Sequence, residues 1–204
     1  MSVKKISHHF DGLGIVPVKI EEVILKVQEF VPDDKIFING IDVPPKGTLG
    51  LNFAVRFIET EELTLGSAIM PITHHRIVYS TQIESRLQRL VVCKELLHIL
   101  DSSPARTTNK EKVLILAEGL LASHDENNQA GNPLEYFADK IAIWLSLIVL
   151  FPYGYWEVCR RDYKAGKLTL DQIADVLEIP SSYIAVTMDD KWDQMREGFL
   201  AFQN

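Results

Sequence analysis

The longest apolar run in the chain constrains the fold more than any other feature. It covers Ile141–Phe151, eleven residues interrupted only by Ser146. A membrane-spanning helix needs about 20 apolar residues, so this run is too short to cross a bilayer and predicts a helix buried in a protein core. With 204 residues, the chain is long enough to form such a core, as one large domain or as one domain with a small appendage.

A second segment, Glu84–Asp101, also predicts a buried helix. When its residues are plotted at about 100° intervals, apolar side chains cover most of the circumference. Lys94, His98 and Asp101 form a polar line along one side of this helix, with Glu95 beside it. Because burying an unpartnered polar group is costly, these side chains must meet a partner, a metal ion or a water-filled cleft.

The helix predicted over Leu134–Phe151 has one side that is small and acidic. The residues on that side are Glu135, Ala138, Asp139, Ala142 and Ser146. Small residues permit the close approach of a second helix, and carboxylates attract cationic side chains. We therefore expect this side to face Lys94 and His98.

The first 80 residues predict one helix and a small antiparallel sheet. The helix is expected over residues 18–31. Asn39-Gly40, a dipeptide typical of hairpin turns, lies between short apolar stretches. Further strands are expected over Leu51–Ile58, Leu63–Ile72 and Arg76–Ser80, with a turn at residues 59–62.

After residue 80, the sequence shows mainly helical patterns. Besides the two buried helices, they cover Lys112–Leu121, Trp156–Ala165, Leu170–Leu177 and Ser182–Phe202. Residues 127–133 predict a loop that leads into a helix. Strands followed by helices predict an α+β fold.

The segment Arg89–His98 (RLVVCKELLH) resembles the zincin helix of the ImmA/IrrE metallopeptidase family. In that family a His-Glu-x-x-His motif places two zinc-binding histidines on one helix face, and the glutamate is the general base. A later Glu-x-x-Ala-Asn/Asp segment supplies the third, acidic ligand, and Glu135–Asp139 (EYFAD) matches it. The resemblance covers about residues 15–190.

The resemblance implies a zincin-like ImmA/IrrE-type domain over residues 1–152 and a helical C-terminal region over residues 153–204. The second region has a helix-turn-helix-like rhythm. The resemblance further implies Glu95 as the catalytic base and His98 and Glu135 as metal ligands, with Lys94, Asp139 and Asp101 lining the site. Members of the family act in bacterial, mobile-element and phage regulation, where they cleave or engage helix-turn-helix repressors.

Lys94 departs from the family pattern, because it occupies the position of the first histidine. An ammonium group has no lone pair to offer a metal ion near neutral pH. His98 and Glu135 alone are one ligand short of a catalytic zinc site. We expect a degenerate site without a cofactor, in which the Lys94 ammonium is neutralised by Glu95 and Glu135.

This interpretation makes the protein a regulator that binds a partner, such as a helix-turn-helix repressor, without cleaving it. The alternative is an active zinc-dependent endopeptidase with an altered ligand set. The side chains that could complete such a set are those of His8, His9, His74, His75, His124, Asp139 and Asp101. Adjacent histidines on a strand point to opposite faces, so one of His74 and His75 is expected to be exposed and the other half-buried.

Composition argues against direct nucleic-acid binding. The chain carries 21 Lys and Arg against 28 Asp and Glu, a net charge of −7, whereas phosphate binding needs clustered cations. The densest basic cluster is Arg160, Arg161, Lys164 and Lys167. No apolar stretch follows the N-terminal lysines, and the two cysteines are far apart, so we expect a cytoplasmic protein in a reducing compartment. Cys93 is expected to be an inert core thiol.

Overall fold

The computed structural model describes residues 2–42, 54–65, 68–100 and 133–201. Within these residues the chain forms eight helices and three strands. In chain order they are α1 (Ser2–Leu13), α2 (Ile20–Gln28), β1 (Lys35–Ile41), β2 (Ala54–Leu65), β3 (Ala68–Ser80), α3 (Ser85–His98), α4 (Pro133–Leu150), α5 (Tyr153–Lys164), α6 (Leu170–Leu177), α7 (Ser181–Thr187) and α8 (Trp192–Ala201). The predicted α+β class is confirmed, while the predictions over residues 112–121 and 127–132 lie outside the described residues.

The three strands form one mixed sheet in the order β1-β3-β2. β2 and β3 are antiparallel, with Leu65 opposite Ala68. β1 runs parallel to β3, from Lys35 opposite His74 to Ile41 opposite Ser80. The prediction of an antiparallel sheet is therefore wrong for β1.

The predicted turn at Asn39-Gly40 is also wrong, because both residues lie inside β1. Gly40 is paired with Tyr79 of β3. A Cβ atom on Gly40 would lie 2.7 Å from Thr81 Cγ2 and 3.1 Å from Tyr79 Cζ. The glycine is thus needed for the close approach of two neighbouring side chains rather than for a chain reversal.

The turn predicted at residues 59–62 is part of β2 instead. Pairs of charged side chains between β2 and β3 explain the difference. Glu59 accepts a hydrogen bond of 2.6 Å from Arg76, and Glu61 lies 3.3 Å from His74 Nε2, both on β3. Such cross-strand charge pairs stabilise an extended conformation of acidic residues that in isolation are typical of turns.

Two further helical segments differ from the prediction. α1 was not predicted, although its apolar side chains Val3, Ile6 and Phe10 are spaced on one face and are buried. The segment predicted as one helix from Ser182 forms two helices, α7 and α8.

The central helices α3 and α4 pack against each other in the core. The apolar run of α4 is buried as predicted, with Leu147, Ile148, Val149 and Leu150 at most 1% exposed. Within the described residues, no single helix is both long enough and apolar enough to span a membrane. The helical segments 141–150 and 153–164 reach that length and hydropathy only when taken together, and they are bent by 88° relative to each other.

A buried charged cluster connects the two ends of the chain. Asp11 at the end of α1 accepts a 2.5 Å hydrogen bond from the backbone N–H of Tyr153, the first residue of α5. Its other oxygen accepts one of 3.1 Å from Arg196 of α8. The Arg196 guanidinium lies 4.5 Å from the centre of the Tyr153 ring. Asp11 therefore caps one helix and neutralises a cation on another.

We expect Asp11→Ala to lower the free energy of unfolding by about 1–3 kcal/mol, since it removes a helix cap and one of the two carboxylates that pair with the buried Arg196 guanidinium, the other being Glu197. Asp33→Ala, at an exposed loop position, is the control and should change it by less than about 0.5 kcal/mol. Urea denaturation measures both. Equal effects of the two variants would contradict a structural role of Asp11.

Candidate functional site

The residues of the degenerate motif lie on α3, whose first turn is fixed by a glutamine. The Gln88 side-chain amide donates hydrogen bonds to the carbonyl groups of Thr81 and Ile83, at 3.1 and 2.7 Å. These bonds connect the helix to the chain that leaves β3. The start of α3 is thereby held against the sheet.

Arg89 fixes the same helix to two distant segments. Its guanidinium donates hydrogen bonds to the carbonyl groups of Val18 and Leu177, and to that of Glu178 at 3.2 Å. Burial lowers the pKa of Arg89, and the nearby charges of Cys93 and Glu178 act in the opposite direction. Arg89, which precedes the motif, thus holds the loop before α2 and the end of α6 against α3.

Lys94 and Glu95 form a buried ion pair at the centre of the motif. Lys94 Nζ lies 2.9 Å from Glu95 Oε1, and the two residues are 3% and 6% exposed. The pairing of Lys94 with Glu95 is one of the two expected contacts. The carboxylate that the family resemblance assigns as general base is therefore in contact with an ammonium group.

His98 is the last residue of α3 and is half-buried. It lies four residues after Lys94, so the two side chains project from the same side of the helix, as in the His-Glu-x-x-His pattern. The backbone of α4 includes the positions of Glu135 and Asp139. Their side chains and the whole of Asp101 lie outside the described residues, so their contact with Lys94 or His98 stays a prediction.

The C-terminal half of α4 packs against α3 and carries Ser146. Ser146 donates a 2.8 Å hydrogen bond to the Ala142 carbonyl, and both residues are buried on the small side of the helix. Cys93, the residue before Lys94, is fully buried, so its predicted position in the core is confirmed. Burial raises the pKa of its thiol to about 12, while the nearby Ser146 side chain acts in the opposite direction.

The adjacent histidines of β3 have different surroundings. His74 lies 3.3 Å from Glu61 and stacks edge-on against Phe37, at 5.5 Å between ring centres. His75 Nε2 lies 2.8 Å from Asp34 Oδ2. Both histidines are buried, so the prediction of one exposed and one half-buried ring is wrong.

Among the residues that the structure describes, the other histidines give no complete zinc ligand set. His8 and His9 lie on α1, and His124 is outside the described residues. Within residues 2–42, 54–65, 68–100 and 133–201, no three His, Cys, Asp or Glu side chains are grouped as a metal site requires. Since the Lys94 ammonium offers no lone pair, the described motif residues do not fit zinc.

The helix-turn-helix-like segment consists of α6 and α7, which pack against each other. Thr169 and Gln172 form a reciprocal capping box at the start of α6. Two carboxylates, Asp190 and Asp162, partly offset the four cations of the predicted basic cluster before it. Arg160 donates a 2.8 Å hydrogen bond to Asp190, and Lys164 donates another to the same carboxylate. These ion pairs reduce the positive charge that the cluster offers to phosphates.

A cavity of about 430 Å³, which was not predicted from the sequence, lies beside α3. Its α3 lining comes from Ser85, Gln88, Arg89 and Val92. At 3.6 residues per turn, these positions lie on the side of α3 opposite Lys94 and His98. The structure therefore contains two distinct regions of interest around one helix.

Comparison of the chain with protein-family models, with curated proteins and with solved structures finds no match.

We expect Lys94→Met to lower the free energy of unfolding by about 3–5 kcal/mol, because it leaves the buried Glu95 carboxylate without its cation. The double variant Lys94→Met/Glu95→Leu should recover most of that loss, since apolar residues of similar size replace a buried ion pair at little cost. Urea denaturation provides the comparison.

The control for this pair is Lys26→Met, which breaks a 2.6 Å contact with the exposed Glu29. Its expected effect is below about 1 kcal/mol, as for other surface pairs. If the double variant at positions 94 and 95 were as unstable as the single one, the ion pair would not be the main interaction that holds Lys94.

The raised pKa of Cys93 predicts a pH dependence of its alkylation. Because the thiolate is the nucleophile, native Cys93 should stay unmodified by iodoacetamide between pH 7 and 9.5, where an ordinary thiol ionises. In urea it should react as fast as a free cysteine. Peptide mass spectrometry measures both rates, and rapid native labelling at pH 9 would show that the thiol is accessible.

Proposed function

We propose that this protein is a zincin-like regulatory protein of the ImmA/IrrE type that binds a partner protein without cleaving it. The observation that carries the proposal is the buried Lys94–Glu95 pair, 2.9 Å between charged atoms. It lies where the family has a zinc-binding histidine and a general base. The pair supplies internally the positive charge that a metal ion would supply in a peptidase.

The arrangement supports binding rather than hydrolysis for a chemical reason. A general base must accept a proton from water, and the Glu95 carboxylate is already engaged by an ammonium group. The helix that carries it is anchored by Arg89 and Gln88, through hydrogen bonds to backbone carbonyl groups that involve no metal. A scaffold of this kind retains a surface for a polypeptide after the loss of catalysis.

The partner class follows from the family resemblance and from charge. The net charge of −7, and the two carboxylates that pair with the basic cluster, disfavour nucleic acid as the direct ligand. We propose a helix-turn-helix transcriptional regulator as the partner, in a cytoplasmic setting of a bacterium or a phage. The alternative, an active zinc endopeptidase, requires another side chain to supply the zinc ligand that Lys94 cannot supply.

Metal content tests the proposed loss of catalysis. The natural protein, purified without chelator, should contain almost no zinc by plasma mass spectrometry. Lys94→His should bind near-stoichiometric zinc, because it restores two histidines four residues apart. The matched control Lys94→His/His98→Ala should lose that zinc again.

Either of two results would contradict the proposal. Near-stoichiometric zinc in the natural protein would show an altered but functional ligand set. Absence of zinc from Lys94→His would show that the position is not a degenerate metal site.

Partner binding is tested by co-expression with helix-turn-helix regulators encoded in the same genome. A regulator should co-purify with the natural protein at full length, as judged by its intact mass. Recovery of cleaved regulator would favour the peptidase, and failure of every regulator to co-purify would argue against this class of partner.

A further inference from the structure

The cavity on the far side of α3 is formed by five separate elements. α2 and the residue before it contribute Lys19, Ile20, Glu21 and Ile24, and the sheet contributes Ile38 and Tyr79. α3 completes it, together with Glu178 at the end of α6. Its volume of about 430 Å³ falls in the usual range of ligand-binding pockets, about 300–1,000 Å³.

The charges around the cavity cancel. Lys19 and Arg89 face Glu21 and Glu178, so two cations oppose two anions. Arg89 is not available to an anionic ligand, since its guanidinium already donates to three backbone carbonyl groups. The cavity therefore fits an uncharged group better than a phosphate or a carboxylate.

The remaining lining is aliphatic with hydrogen-bonding groups beside it. The aliphatic residues are Ile20, Ile24, Ile38 and Val92, and the polar ones are Tyr79, Ser85 and Gln88. Gln88 uses its amide N–H groups within the protein, which leaves its carbonyl oxygen as an acceptor. This lining fits an aliphatic side chain whose residue is flanked by two uncharged backbone amides.

β1 lies next to the cavity, where it can pair with a polypeptide that carries such a side chain. It contributes Ile38 to the cavity and, among the described residues, pairs with β3 alone. Asn39, Gly40 and Ile41 of β1 are exposed, as is typical of an edge strand with which an extended chain can pair. The absent side chain of Gly40 lets the Tyr79 ring lie across β1, with its hydroxyl 3.1 Å from where a Cβ would be.

We propose that this cavity and the adjacent edge of β1 form a second binding site, for an extended polypeptide segment of another protein. The segment pairs with β1 through its main chain and places one uncharged aliphatic side chain among Ile24, Ile38 and Val92. Tyr79 hydrogen-bonds to its backbone. This site is separate from the Lys94 region, and it does not depend on the function proposed for that region.

The test uses blocked pentapeptides of sequence Thr-Thr-X-Thr-Thr with X as Leu, Gly, Asp or Lys, titrated into the isotope-labelled full chain. The leucine peptide should shift the NMR signals of the β1 amides and of the methyl groups of Ile24 and Ile38. The other three peptides should bind at least about ten-fold more weakly. Binding of the leucine peptide should be insensitive to salt, because no ion pair forms.

Two variants on neighbouring residues locate the site. Ile24→Trp should abolish the shifts, because Ile24 is half-buried in the cavity wall and the larger ring fills the space. Leu25→Trp, one position further on α2 and 65% exposed, is the matched control and should leave binding unchanged. If Ile24→Trp does not fold, Tyr79→Phe replaces it and should weaken binding several-fold.

Several results would overturn the proposal. These are equal binding of the aspartate or lysine peptide, shifts confined to the Lys94 region, or no shift of the β1 amides with the leucine peptide. Methyl shifts with N-acetyl-leucinamide alone, without binding of the leucine pentapeptide, would show a pocket for small neutral molecules instead.

Discussion

Arg89 joins three segments that are far apart in the sequence. Its guanidinium bonds to carbonyl groups before α2 and at the end of α6, while its own backbone is part of α3. A charged group is rarely buried unless its donors are satisfied, and here backbone oxygens satisfy them. The direction of α3, and with it the placement of Lys94 on one side and of the cavity on the other, depends on this residue.

The sequence allowed prediction of the parts of the fold that burial determines. The apolar patterns of α3 and α4 are long enough to distinguish helices from strands, and the structure confirms both helices. The strand pattern was less informative. Asn39-Gly40 and the acidic residues 59–62 are typical of turns, but pairing with β3 holds them in strands. Local propensity cannot show such partners, because they are distant in the sequence.

The candidate site shows the same division. Lys94, Glu95 and His98 could be identified from their spacing within one helix, and the expected contact of Lys94 with Glu95 is present. The cavity could not be predicted, since its walls come from five elements with no shared motif. The contact of buried His75 with half-buried Asp34 was missed for a similar reason, because these residues are 41 positions apart.

The contact between Gly40 and Tyr79 has a consequence for related sequences. The space above Gly40 is occupied by the ring of Tyr79 and the methyl group of Thr81. A larger residue at position 40 therefore requires a smaller one at position 79 or 81. In an alignment of homologues, these positions should covary in side-chain volume, with glycine at position 40 accompanying an aromatic residue at position 79.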